Sequence, residues 1–76
     1  MTPILVPQLG NEILEAEVTE WLVAEGAEVA AGDELVTITT TKMAIDIEAP
    51  VSGRLIRIAI PEGELAKVGA TLGEIG

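Results

Sequence analysis

The 76-residue chain has no cysteine, histidine, tyrosine or phenylalanine, and Trp21 is its only aromatic residue. Without thiols there is no disulfide to staple a small fold and no thiolate nucleophile or metal ligand. Without imidazole there is no histidine base and no His-bound metal. Basic residues are nearly as scarce: four Lys and Arg stand against 13 Asp and Glu, a formal net charge of −9. That sign argues against nucleic acid or an anionic membrane as partner and for a basic protein surface. It also keeps a small domain soluble and monomeric. No run is apolar enough to span a bilayer, and Met1 to Gly10 lacks the basic start and long apolar stretch of a signal peptide. The expectation is a cytoplasmic chain (or one of the mitochondrial matrix, in a eukaryote), free-standing or cut from something longer.

What is abundant is aliphatic. Residues of apolar type make up 49% of the sequence, so one domain spanning residues 1–76 must hold itself together with a core of Val, Ile, Leu and Ala, a composition that suits small β layers. Serine occurs once, as Ser52 in Pro50-Val51-Ser52-Gly53, and the carboxylates show no pocket-forming pattern, so they read as a solvated surface. The chain is a poor candidate for an enzyme in its own right.

An internal repeat organises the sequence. Glu25 to Ile38 set over Glu62 to Ile75 agrees at five of fourteen positions: Glu25/Glu62, Gly26/Gly63, Gly32/Gly69, Leu35/Leu72 and Ile38/Ile75. Upstream, Pro7 and Gly10 fall over Pro50 and Gly53 at an offset of 43 rather than 37, so the first copy carries six extra residues around Asn11 to Ala16. Ile45 to Ala49 alternates isoleucine with carboxylate as a half-buried strand does. Leu55 to Ile60, Leu35 to Thr40 and Ile4 to Val6 have strand composition too. Asn11 to Glu25 is ambiguous, because Leu14, Val18, Trp21 and Leu22 keep helical spacing between a possible N-cap at Asn11 and C-cap at Gly26. Its repeat partner, Arg54 to Pro61, has strand composition, and symmetry therefore makes Glu17 to Val23 a strand. Gly26, Gly32, Gly53, Gly63 and Gly69 then occupy matching turns, where glycine supplies positive φ. Two copies of three or four short strands pack face to face as a flattened antiparallel sandwich. The connector between them is an edge hairpin with Thr41-Lys42-Met43 at its tip.

Lys42 stands out in that place. It lies between the copies, its neighbours Thr39, Thr40, Thr41 and Met43 are uncharged, and an exposed ammonium on a flexible stem is accessible to a modifying enzyme. The bland alternative is a solvated turn residue.

Five segments together resemble the biotinyl and lipoyl carrier family: Val6-Pro7-Gln8-Leu9-Gly10; Val18-Thr19-Glu20-Trp21-Leu22-Val23; Glu25-Gly26 followed by Val29 and Gly32; Thr41-Lys42-Met43; and Ala49-Pro50-Val51-Ser52-Gly53. The resemblance implies an all-β barrel-sandwich hybrid of two quasi-symmetric four-stranded sheets with a lysine acylated at the exposed hairpin. Acylation of Lys42 would move the net charge from −9 to −10. At the tip, lipoyl domains of 2-oxo acid dehydrogenase acyltransferases usually show Glu, Thr or Ser, Asp, Lys and Ala, where this chain has Thr39, Thr40, Thr41, Lys42 and Met43. Biotinyl domains favour Met on both sides of the lysine, and here only Met43 matches. The extra loop and the Glu20-Trp21-Leu22-Val23 segment look like the lipoyl branch. By resemblance, then, Lys42 carries lipoate, with Thr41 and Met43 flanking it. Gly10, Asn11, Glu12 and Glu15 form the recognition loop. The partners implied are a lipoate ligase or lipoyl transferase, a thiamine-dependent 2-oxo acid decarboxylase, an acyltransferase core and a dihydrolipoyl dehydrogenase. Biotin on Lys42, serving a carboxylase, is the alternative, and an unmodified β-sandwich interaction module is the second.

Overall fold

The computed structural model describes residues 1–10 and 13–76, and every regular element among them is a strand. In chain order these are β1 (Thr2–Leu5), β2 (Glu15–Trp21), β3 (Glu28–Val29), β4 (Glu34–Thr39), β5 (Ala44–Glu48), β6 (Gly53–Ile58), β7 (Leu65–Lys67) and β8 (Thr71–Ile75). They form two four-stranded sheets ordered β1-β8-β6-β3 and β5-β4-β2-β7, all pairs antiparallel. The ambiguous segment is extended, as symmetry required, although β2 begins and ends two residues earlier than Glu17 to Val23. Its first residues are claimed by β7, with Glu15 facing Lys67 and Ala16 facing Ala66.

The two sheets are not the two sequence copies. Each sheet takes two strands from each copy, and exchanging β1–β4 for β5–β8 converts one strand order into the other. The interleaving joins the copies through their ladders: β8 and β6 of the second pair with β1 and β3 of the first, and β4 and β2 of the first pair with β5 and β7 of the second. Six of the fully buried side chains come in repeat-related pairs, Leu35 with Leu72, Ile38 with Ile75 and Val18 with Leu55, whereas Val36 falls over Gly73. The buried Ile4 and Ile47 are related at the wider offset.

The backbone network is doubled as well. The Gly26 N–H donates to Leu55 O (2.6 Å) and the Gly63 N–H to Val18 O (2.8 Å), while Gly32 donates to Ala49 O (2.9 Å) and Gly69 to Val6 O (3.0 Å). The repeated glutamates do more than mark turns. Glu25 Oε2 accepts the Ile58 N–H of the second copy at 2.8 Å, and Glu62 Oε1 accepts the Trp21 N–H of the first at 3.0 Å. Each carboxylate thus satisfies a donor at the far end of the other copy's strand, which would otherwise face water alone. The Trp21 indole Nε1–H adds a bond to Ile60 O at 2.8 Å, locking the sole aromatic across the same junction.

Gly53 is required by space more than by conformation. Its φ is 158°, but a Cβ there would lie 2.7 Å from Gly76 O and 2.8 Å from Ile75 Cγ2. Gly32, at φ 93°, has open space where a Cβ would go and needs glycine for its left-handed backbone instead. Pro3 lies in β1, an edge strand, and Pro7 and Pro50 follow the ends of β1 and β5, positions that need no ladder donor.

The hairpin and the chain ends occupy opposite poles. β5 runs from the hairpin to Glu48, the chain turns through Pro50 to Ser52, and Gly53 opens β6 beside the C-terminus, where the Arg54 N–H donates to Gly76 O at 3.0 Å. At that pole Thr2 faces Ile75, the symmetry counterpart of Ile45 facing Ile38 at the hairpin.

Candidate functional site: the Lys42 hairpin

β4 and β5 pair from Glu34↔Glu48 to Thr39↔Ala44, leaving Thr40 to Met43 as a four-residue tip. Val36, Ile38 and Ile47 anchor the stem in the core, so the tip is held by a stiff, buried base. The Thr40 N–H donates to Met43 O at 2.8 Å. The Thr40 hydroxyl accepts the N–H groups of Lys42 (3.2 Å) and Met43 (3.1 Å) and donates to Met43 O (3.2 Å). Thr41, Lys42 and Met43 are all exposed.

Place sets Lys42 apart. Arg57 pairs with Glu74 at 3.0 Å and Arg54 approaches Glu28 at 3.5 Å, whereas among the described residues neither Lys42 nor Lys67 has a carboxylate within 4.0 Å. Lys67 lies within the β2–β7 ladder, opposite Glu15, and Lys42 alone of the four cations sits on the exposed hairpin tip. An exposed amine on a tip with a buried stem suits acylation, because the fold need not open before Nζ meets an incoming acyl group. The acids of the stem lie further down. Glu34 is held above the ordinary carboxylate range by its hydrogen bond to Asp46 and by the charge of that neighbour. Asp46 is held below it by the same bond and by the Thr37 hydroxyl, which donates at 2.7 Å.

Beside the tip the surface is concave. Two adjoining shallow grooves of about 300 Å³ each are lined by Ile13, Leu14, Glu15, Thr40 and Thr41, and by Glu15 to Glu17, Thr39 to Thr41 and Leu65. The structure therefore brings Glu15 next to the Lys42 hairpin. Gly10, with φ 131°, lies at the start of the inserted loop, where its carbonyl accepts bonds from the Gln8 side chain (3.1 Å) and the Ile13 N–H (3.4 Å). Asn11 and Glu12, also assigned to recognition from the sequence, lie outside the described residues. Sequence reasoning missed three features: the Thr40 hydroxyl, the exposed Leu14 and Leu65 of the groove, and the reciprocal glutamates. For Thr40 the signal was present, since a threonine before a short polar turn is the pattern of a side chain replacing a backbone acceptor. No group of three or more metal-binding side chains is assembled among the described residues.

A quasi-symmetric β-sandwich that presents one exposed lysine on its connecting hairpin is the architecture of a covalent-cofactor carrier. The Biotin-lipoyl family model, described as "Biotin-requiring enzyme", matches residues 2–75, and the chain belongs to this family. It is similar to the dihydrolipoyllysine-residue succinyltransferase component of the 2-oxoglutarate dehydrogenase complex of Bartonella vinsonii, at 38% identity over 74 residues, which is 97% of this chain and 18% of that protein. Among solved structures it resembles the lipoyl domain of the 2-oxoglutarate dehydrogenase complex of Azotobacter vinelandii, with a TM-score of 0.81, 25% identity and coverage of 100% and 96% of the two chains. It also resembles part of a single-chain, multi-domain long-chain acyl-CoA carboxylase, with a TM-score of 0.71 and 32% identity over 79% of this chain and 6% of that one. The chain thus spans under a fifth of the curated relative it matches.

Proposed function

We propose that this chain is a lipoyl carrier domain in which lipoate is joined in amide linkage to Nζ of Lys42 and shuttles acyl groups and electrons between the active sites of a 2-oxo acid dehydrogenase-type complex. The observation that carries this reading is the tip: Lys42 is exposed on a hairpin whose stem is buried. The likeness over nearly the whole chain to a dihydrolipoyllysine-residue succinyltransferase, and over its full length to a lipoyl domain, supports lipoate as the group. When bound, that group supplies a disulfide that can take up an acyl unit and two electrons, chemistry this chain's own side chains lack.

The protein's share is presentation. The β4–β5 stem fixes where the arm begins, while the lysine side chain stays mobile, so successive encounters become intramolecular and occur at high effective concentration. The groove with Glu15, Glu17, Leu14 and Leu65 lies where an enzyme reaching for the arm would touch the domain, and its acids suit a basic rim on a decarboxylase, acyltransferase or dihydrolipoyl dehydrogenase. A lipoate ligase or lipoyl transferase installs the group. Biotin is the second reading, favoured by Met43 and by the likeness to an acyl-CoA carboxylase.

The intact mass after incubation with a lipoate ligase, ATP and lipoate, and separately with a biotin ligase, ATP and biotin, decides between them. A lipoyl adduct is expected on wild type and none on Lys42→Ala. That variant should unfold within about 0.5 kcal/mol of wild type, as exposed positions do. A biotin adduct alone would assign the domain to carboxylation, and no adduct would leave an unmodified interaction module.

A further inference from the structure

A hydroxyl group can donate one hydrogen bond and accept two. At Thr40 all three capacities are spent on the tip: Oγ1 accepts the Lys42 and Met43 N–H groups at 3.2 and 3.1 Å and donates to Met43 O at 3.2 Å. In an ordinary four-residue turn the first carbonyl would accept the last N–H. Here the side chain takes that place and adds the N–H of the reactive residue itself. Thr40 is β-branched and stiff about χ1, so an oxygen held by three bonds fixes the ring of atoms from Thr40 to Met43. Thr41, by contrast, carries no side-chain bond of its own among the described residues.

We propose that Thr40 is a positioning residue for the acylation of Lys42: its hydroxyl holds the tip backbone in the one geometry that a modifying enzyme recognises. This rests on the reading of Lys42 as the acylated residue. The reaction it serves is attack of the neutral Nζ on the acyl carbon of lipoyl-adenylate, which the ligase forms from lipoate and ATP. The C–N bond forms, the bond from acyl carbon to the phosphate oxygen breaks, AMP departs and the nitrogen loses a proton. Thr40 takes no part in these bonds. It raises the fraction of tips already in the bound conformation, and a lower fraction weakens apparent affinity in proportion without touching the chemical step.

The test is steady-state lipoylation of the 76-residue chain by a lipoate ligase with ATP and lipoate, followed by intact mass, on wild type, Thr40→Val, Thr40→Ser and, as a stem control, Thr37→Val. Val keeps the shape of Thr and removes the hydroxyl, whereas Ser keeps the hydroxyl. Thr37→Val loses a different hydroxyl bond, the one to Asp46, on the same hairpin. For Thr40→Val the KM for the domain should rise roughly tenfold, corresponding to about one net hydrogen bond, with kcat within about twofold. Amide exchange at Lys42 and Met43 should quicken while the rest of the domain keeps its protection. Thr40→Ser and Thr37→Val should stay within about twofold of wild type on both constants. Equal KM for wild type and Thr40→Val, or a Ser variant as impaired as Val, overturns the proposal. A fall in Thr37→Val matching Thr40→Val would also overturn it, since that would indicate general destabilisation. If Thr40→Val does not fold, Thr40→Ala is read against Thr40→Ser in the same way. Wild type refusing lipoate would instead sink the functional reading on which the proposal stands.

Discussion

Replacing Gly53 with alanine should damage this domain more than replacing Gly32, although both glycines follow turns. At Gly32 the new methyl meets nothing within 4 Å, and the only cost is holding an L-residue at φ 93°, about 1–2 kcal/mol. At Gly53 the backbone is closer to extended, but the methyl would sit 2.7 Å from Gly76 O and 2.8 Å from Ile75 Cγ2, where Ile75 is a fully buried core residue. If β6 and β8 hold their spacing, overpacking costs roughly 1–3 kcal/mol in addition to the residual backbone strain. If residue 76 swings away instead, the two bonds linking Arg54 and Gly76 (3.0 and 2.9 Å) are lost, at about 1 kcal/mol each. Either route leads to about 2–4 kcal/mol, out of a total stability of roughly 4–11 kcal/mol for a domain of this size. Thermal unfolding followed by circular dichroism should show a fall of about 10–25 °C for Gly53→Ala and a clearly smaller fall for Gly32→Ala. Equal shifts, or a milder effect at Gly53, would refute the argument that close approach of the β6 start to the β8 end is what demands glycine there.

Glu62→Ala strips the acceptor from the Trp21 N–H and Glu25→Ala strips it from the Ile58 N–H; each should cost about 1–2 kcal/mol by urea denaturation, and the two losses should agree because the contacts are symmetry-related. A null effect at both would reduce the paired glutamates to turn residues. The Glu34–Asp46 pair gives a pH signature. Glu34 sits above its ordinary 4.5 in the folded state, so the folded domain binds that proton first, and stability from this group rises as pH falls through the folded value towards 4.5. Asp46 sits below its ordinary 3.8, so its contribution is present above that value and is lost as pH drops through the folded one. Glu34→Gln should therefore be more stable than wild type at neutral pH, with the difference shrinking on acidification towards pH 4.5, as read from melting temperature across a pH series.

Much of the fold was legible because it rests on local alternation and on glycine spacing. Ile45-Asp46-Ile47-Glu48 announces a half-buried strand by composition alone, and the two offsets of the repeat located the inserted loop. The repeat even overruled helical spacing at Leu14, Val18, Trp21 and Leu22, where propensity on its own was undecided. The interleaving of the copies between sheets was not legible, because strand order is a long-range property that identical local patterns cannot distinguish. Glu25 and Glu62 were visible as a matched pair, but their acceptors' work is done 33 and 41 residues away. At the site, the exposed hairpin position of Lys42 was readable from its place between the two copies. Thr40 left a weaker signal, a threonine ahead of a short polar turn, but which N–H groups its hydroxyl accepts depends on a turn geometry that exists only once β4 and β5 have paired.

The two poles of the sandwich are topologically interchangeable. Six residues, 39 to 44, bridge Ile38 and Ile45 at one of them, and at the other Ile75 and Thr2 face each other in the same register with no bridge among these 76 residues. A circular permutant could therefore close the open pole with a second copy of that bridge and be cut elsewhere, giving one scaffold with two attachment lysines pointing in opposite directions. The two poles would still differ, because the groove of Leu14, Glu15 and Leu65 lies beside the natural bridge, so the second arm would show what presentation achieves without that groove.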